Sequence, residues 1–401
     1  MTKNIDIVYF DAASGHRSAA IALKHAIASK YPSYVIRTIN LVDIFDHHPV
    51  FGKIARAGIK YFNWQLKKDK VFDLNGLINL SLLSHDLVFK KGQIKIANFW
   101  KNTTPDIVIS VAPMYNPVLY KSVRILNPNT ICITIPVDFE EAKSRYWFTP
   151  AVEQYYLNGT EKLHTQATTV GVPEQYAYRI SGMVIDPAAY FNKTIDKRTA
   201  LEALELDPDK PTGFLSFGGQ GCIRVKEITK AISELNLPIN MIIMCGKNEQ
   251  LYKAVNNLQT RFPKKVFKYL QETPLYYLRL ADVAIGKPGA MTITEALITQ
   301  TPLITLKSKG MHLVQKGNED WITETKTGIV AKNVKEVAAS IYTILTNPVF
   351  KENILKQQHN AIEEAVTIIH DIATNQPKLT IFYEAASNTT TTSNWHKNVP
   401  I

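Results

Sequence analysis

The chain has 401 residues, more than one typical domain holds and enough for two that each bury a core. Hydrophobic residues at 45% and charged residues at 20% exclude a largely disordered chain. The 46 Lys+Arg against 35 Asp+Glu leave a net charge of +11, which favours an anionic partner: nucleic acid, a phosphorylated substrate or an acidic membrane face.

The start "MTKNIDIVYF" runs directly into a strand with no apolar segment of signal-peptide form, and no later run approaches a membrane span, so a cytosolic protein is expected. "DAASGHRSAAIAL" then feeds a strand through a small-residue loop into a helix, with Gly15 permitting a tight turn and His16 at the helix mouth. After the strand "YVIRTINLV", the interval from Asp46 to Thr104 departs from the strand–helix rhythm. It sets Phe51, Tyr61, Phe62, Trp64, Phe72, Phe89 and Trp100 among Lys53, Arg56, Lys60, Lys67, Lys68, Lys70, Lys90, Lys91 and Lys95. That interleaving reads either as helices packed on the sheet or as interfacial helices that lie on an anionic bilayer.

The rhythm resumes with "DIVISVAP", "TICITIPVDF", "YYLNG" and "YRISGM", and alternation of this kind predicts parallel strands joined by crossover helices. Roughly Asp186 to Pro211, charged and carrying Pro187, Pro208 and Pro211, is the expected hinge. Beyond it, "GFLSFGG", "INMIIMCG", "KVFKYL", "ADVAIGKPGA", "PLITLKS" and "GIVAK" repeat the pattern as a second doubly wound α/β unit. The predicted units are residues 1–185 (with 46–104 as a basic aromatic insertion), 196–384, and a disordered tail over 385–401.

Several motifs carry no chemistry. "DPD" at Asp207 to Asp209 surrounds a proline in the hinge and reads as a turn, and His47-His48 has no companions at metal-ligand spacing. Cys132, Cys222 and Cys245 are scattered and suit neither a disulfide framework nor a zinc site, so the sequon at Asn158 goes unused. No P-loop motif occurs. Three loops remain, all at carboxyl ends of predicted strands, where open α/β sheets bind ligands. They are the His16 loop, the glycine-rich "FGGQG" from Phe217 to Gly221, and "GKPGAMTITEAL", in which a helix is expected to start near Met291 or Thr292 with Glu295 in its first turn.

In this order the loops resemble the glycosyltransferase family that contains monogalactosyldiacylglycerol synthases, processive diacylglycerol glucosyltransferases and, more remotely, the peptidoglycan N-acetylglucosaminyltransferase. The resemblance spans roughly Ile5 to Ala331 and rests on "SGHRSAA", "PVDF" followed by "SRYWFTPAVEQYYL", "GVPEQYAYRISGMVIDPAAY", "DPDKPTGFLSFGGQG", "KPGAMTITEAL" and "QKGNEDWITETKTGIV". It implies an α/β GT-B architecture, two Rossmann-like domains facing across a cleft. The implied chemistry is an inverting, metal-independent transfer of galactose or glucose from a UDP-sugar to diacylglycerol, with no cofactor. The expected place is the inner face of the membrane, held peripherally on its anionic surface, with no nucleic-acid partner.

By the same resemblance Gly218, Gly219, Gln220, Gly289 and Thr292 meet the donor diphosphate and Glu295 its ribose. Tyr269 and Leu270 lie near the uracil, and Gln315, Gly317 and Asn318 near the sugar hydroxyls. His16 matches the general base, with Gly15 and Arg17 in the acceptor loop. Asp138 is an alternative base or the group that orients His16, and Lys287 faces charge on the departing UDP. A base is needed because a glycerol hydroxyl is a poor nucleophile, and a helix N-terminus helps keep the imidazole neutral. The sequence departs from the family at Ala12, Ala13 and Ser14, where glycines are usual. Leu313 and Val314 alter a Gly-Gln-Glu run before Gly317, and Val184 replaces a proline. The competing readings are a UDP-sugar epimerase or hydrolase, and a UDP-sugar-binding module without transferase activity.

Overall fold

A computed structural model describes residues 2–375 apart from 12–14, 49, 68–71, 90–91, 191–194, 270–273, 308–309 and 358. The expected tail over 385–401 and Leu270 lie outside the described residues.

Two six-stranded parallel sheets form the protein. The first contains β1 (Asn4–Tyr9), β2 (Val35–Asn40), β3 (Ile107–Ser110), β4 (Ile131–Thr134), β5 (Tyr155–Asn158) and β6 (Ala177–Arg179), in the order β2-β1-β3-β4-β5-β6. The second contains β7 (Thr212–Ser216), β8 (Asn240–Met244), β9 (Lys264–Phe267), β10 (Val283–Gly286), β11 (Leu303–Leu306) and β12 (Gly328–Ala331), ordered β12-β11-β10-β7-β8-β9. Central strands such as "IVIS" and "ICIT" are buried at every residue, as unbroken apolar runs between two helical layers must be. Chain direction reverses between β1 and β3 in one sheet and between β7 and β10 in the other, so each sheet has a crevice at that switch point. This is the two-domain α/β architecture expected.

One boundary differs from expectation. The last described helix, Ala361–Thr374, falls within the span assigned to the second domain but packs on the first-domain helix Gly15–Lys30. Its buried Ile362, Ala365, Val366, Ile369, Ile372 and Ala373 repeat at helical spacing and form one apolar stripe. Lys30 meets Glu363 at 3.3 Å, Tyr34 hydrogen bonds with His370 at 2.8 Å, and Ser181 N–H donates to Glu364 at 2.6 Å. In the hinge, Asp207 accepts the N–H of Asp209 at 3.0 Å and pairs with Lys210, which is turn chemistry.

The insertion forms helices Phe51–Lys67, Leu74–Phe89 and Gln93–Ala97. Phe51, Leu74 and Ile78 are buried against the core, while Ile54, Tyr61, Trp64, Phe72 and Leu80 stay 48–64% exposed. Ile54, Tyr61 and Trp64 fall on one side of their helix, with Lys53 and Lys60 exposed beside them. The packed reading holds for one face, and the other leaves apolar and basic side chains in solvent. Among the described residues no helix is long and apolar enough to cross a membrane.

Candidate functional site

His16 sits in the first turn of the helix Gly15–Lys30, directly after β1. Its Nδ1 lies 2.8 Å from the carbonyl of Val111, the residue that follows β3, so the hydrogen bond closes across the switch point. A carbonyl can only accept, so Nδ1 carries the proton and the lone pair is left on Nε2. Surrounding protein strips water from the ring and depresses its pKa to about 4, against a smaller opposing effect of the Val111 hydrogen bond. The imidazole is therefore neutral at physiological pH. Arg17, one residue on, is exposed.

Asp138 lies just beyond β4, and its Oδ2 accepts the indole N–H of Trp147 at 3.1 Å. Burial pushes this carboxyl up to about 7, and the Trp147 hydrogen bond opposes that rise. Trp147 also faces His16, with ring centroids 6.1 Å apart. The orienting partner of His16 is thus the Val111 carbonyl and not Asp138, whose link to the imidazole runs through the indole. Glu141 fixes the loop: one carboxylate oxygen accepts backbone N–H groups of Tyr146, Trp147 and Phe148 at 3.0–3.3 Å.

The second domain supplies the opposite wall. Gly218 and Gly221 adopt positive φ of 86° and 72°, the left-handed backbone that only glycine enters freely. A Cβ on Gly218 would lie 3.6 Å from Nζ of Lys287, so the loop after β7 and the loop after β10 meet at their switch point. Gly219 and Gln220 form the exposed tip, and Tyr269 packs over Gly219 with Lys247 4.6 Å above the ring centre. Beyond Lys287, Gly289 takes the cap position of the helix Ala290–Ile298 in an extended conformation with no side-chain cap, leaving the first N–H groups and Thr292 at the cleft. Because β10 ends at Gly286 and the helix already begins at Ala290, Glu295 is its sixth residue, in the second turn and not the first. Burial raises Glu295 to about 7 and lowers Lys287, while the attraction between the two opposes both shifts.

The walls touch. The Cβ position of Gly15 is 3.7 Å from Met291, so the helix that carries His16 and the helix after Gly289 present their N-termini to each other. Asn318, expected at the sugar, is 2% exposed and uses both ends of its amide on backbone. It donates to Pro288 O at 2.9 Å and accepts from Phe139 N–H at 3.2 Å, tying the Lys287 loop to the Asp138 loop. At Gly317 a Cβ would run into the Glu140 side chain, which would have to shift to admit any larger residue. Gln315 is buried, and its Oε1 has no hydrogen-bond partner among the described residues. Val111, Glu141 and the role of Trp147 escaped sequence reasoning. Trp147 stands within the quoted "SRYWFTP", whereas a backbone carbonyl leaves no residue-type signal at all.

Two parallel sheets, each with its own switch point, form the GT-B fold, and residues 216–372 match the Glycosyltransferase family 28 C-terminal domain. The chain is 28% identical over 353 residues to a processive diacylglycerol beta-glucosyltransferase of Staphylococcus saprophyticus, covering 86% of this chain and 85% of that protein. It is also 25% identical over 400 residues to a probable chloroplastic monogalactosyldiacylglycerol synthase 2 of Oryza sativa subsp. japonica, covering 92% and 81%. Among solved structures, Acinetobacter baumannii MurG superposes with a TM-score of 0.58 at 14% identity, over 92% of this chain and all of that one. Staphylococcus aureus MnaA in complex with UDP gives 0.58 at 10% identity, over 93% and 97%.

Proposed function

We propose that the protein transfers a hexosyl group, galactose or glucose, from a UDP-sugar to diacylglycerol at an anionic membrane surface, with inversion and without a metal ion. The observation that carries this reading is the pairing across the cleft: a neutral imidazole with Nε2 free on one wall, and Lys287 beside a glycine loop on the other. The acceptor hydroxyl gives its proton to Nε2 of His16 as its oxygen bonds to C1 of the sugar. The C1–oxygen bond to UDP breaks in the same step, and its electron pair leaves on the diphosphate. Lys287, the N–H groups of the Gly218 loop and the uncapped helix start after Gly289 meet that charge. Gln315 offers a buried acceptor that a sugar hydroxyl would satisfy. The exposed apolar and basic face of the insertion suits the inner leaflet, where anionic lipid attracts Lys53 and Lys60. Relatives named for diacylglycerol glycosyl transfer support the choice of acceptor.

The test is a panel of UDP-sugars offered with diacylglycerol in phosphatidylglycerol-containing vesicles, with the lipid products identified. A hexosyl-diacylglycerol is expected. UDP release without lipid product would instead point to the hydrolase or epimerase alternative, and absence of heat on titration with UDP to a module that has lost its donor site.

Glu295→Ala is expected to weaken UDP-sugar binding by about tenfold, as loss of a charged hydrogen-bonding partner does, while kcat at saturating donor changes little. Calorimetry with UDP checks it, and an unchanged Kd places the ribose elsewhere.

The pH profile follows from Asp138. A carboxyl raised to about 7 is neutral below that pH, and its negative charge, which favours a proton on the nearby imidazole, develops only as pH rises through 7. At saturating donor, kcat is expected to rise through an acidic limb near pH 7. In Asp138→Asn that limb disappears and kcat at pH 8 falls. The same shift has a stability sign: a raised carboxyl favours the fold below its unfolded pKa, near 4, and that contribution is lost as pH climbs through 7. Asp138→Asn therefore melts later than wild type at pH 8 and not at pH 5.

A further inference from the structure

The two long helices of the insertion touch each of the three loops that build the acceptor wall. From Phe51–Lys67, Asn63 Nδ2 donates to the carbonyl of Asp11 at 3.1 Å, on the loop that leads to His16. From Leu74–Phe89, Asn75 and Asn79 stand one helical turn apart and both accept from Nζ of Lys143, the first at 2.6 Å and the second at shorter range. Lys143 belongs to the loop between Asp138 and Trp147, and its carbonyl accepts the N–H of Tyr146. Ser81, on the same helix, hydrogen bonds with the Tyr115 side chain, four residues past the Val111 carbonyl that orients His16. On the helix Phe51–Lys67 the exposed Ile54, Tyr61 and Trp64 lie away from Asn63, and Leu80 is exposed on the second helix. The two helices thus leave apolar side chains in solvent while side chains of each are hydrogen-bonded to the His16, Val111 and Asp138 loops.

We propose that Asn63 and Lys143 are positioning residues through which docking of the insertion on an anionic lipid surface orders the loops that hold His16 and Asp138, so that turnover rises on the surface. The proposal rests on the membrane reading above and adds a route to it. Tethers of this sort act on geometry: a loop displaced by about 1 Å can cost on the order of a hundredfold in rate without loss of binding. Neither residue needs to touch substrate. The surface would act by restricting the helices against which both loops are tied.

The experiment compares the full chain with Lys143→Met, Lys143→Arg and Asn63→Leu. Three quantities are read: sedimentation with vesicles of phosphatidylglycerol and phosphatidylcholine, amide hydrogen exchange over residues 138–149, and kcat with dioctanoylglycerol either in those vesicles or as monomers. Wild type is expected to bind vesicles, to show slowed exchange in the loop, and to turn over about tenfold faster on vesicles than on monomeric acceptor, a modest share of what positioning supplies. Lys143→Met and Asn63→Leu should sediment with vesicles like wild type yet lose both the slowed exchange and the gain in kcat. Lys143→Arg should keep both. Vesicle binding by wild type with no change in loop exchange overturns this proposal alone. Failure of wild type to bind vesicles overturns the membrane reading and this proposal with it. If the loop exchange responds as expected but no lipid product forms, the positioning route stands and the acceptor assignment falls.

Discussion

His16→Ala is expected to lower kcat by about 10²–10⁴, the range that a positioned base contributes, with UDP binding almost unchanged. The expectation follows from the hydrogen bond to Val111, which leaves Nε2 as the only lone pair the ring can offer the cleft. A pKa near 4 makes His16 a weak base in the resting protein, so its role depends on surroundings that come to favour the cation as the acceptor loses its proton. In the proposed mechanism an ionised Asp138, hydrogen-bonded to the Trp147 indole that lies beside His16, supplies that favour. His16→Ala also removes an uncharged ring from a crowded wall, so the fold should persist, which a melting curve verifies. Steady-state kinetics at saturating donor, paired with calorimetry for UDP, form the measurement. A variant that turns over like wild type would move the base to Asp138.

Lys287→Met is expected to lower kcat by about 10²–10³, comparable to removing one preorganised donor from a developing anion. Methionine keeps the length of the stem and drops the charge. Burial already disfavours the ammonium, and the negative charge of Glu295 opposes that shift. Losing it removes the cation beside the Gly218 loop and the attraction that opposes the rise of Glu295, so Glu295 should titrate above 7 in the variant. The donor site would then carry a neutral acid at physiological pH. Comparison of kcat for a UDP-sugar with that for a donor bearing a better leaving group is the sharper assay: the deficit should shrink when the leaving group needs less stabilisation. Equal deficits would assign Lys287 to folding or ground-state binding.

Sequence patterns revealed the architecture because parallel strands buried on both faces must be short, apolar and separated by helices, and "DIVISVAP", "INMIIMCG" and "ADVAIGKPGA" meet that demand. The same logic located the loops, since ligands gather at strand carboxyl ends near a switch point. Side-chain partners were less accessible. Asn318 has the residue type of a sugar contact, yet its amide bridges the backbones of Pro288 and Phe139. Asp138 has the residue type of an orienting carboxylate, yet an indole stands between it and the imidazole. Residue type reports what a group can bond to, and only the fold decides which partner is within reach. The insertion was ambiguous for a related reason: basic and apolar residues in alternation suit a packed helix and an interfacial one equally, and the fold shows one face packed and the other exposed.

The return of helix Ala361–Thr374 to the first domain makes that domain discontinuous in the gene. A fragment that stops at residue 185 would lack the cover for the helix Gly15–Lys30, with the burial of Ile362, Val366, Ile369 and Ile372 each contributing about 1.5–3 kcal/mol. Chimeras that exchange sugar-donor halves between relatives should therefore carry two junctions: one in the hinge near residue 195, and a second before Asn360, so that each recipient keeps its own closing helix.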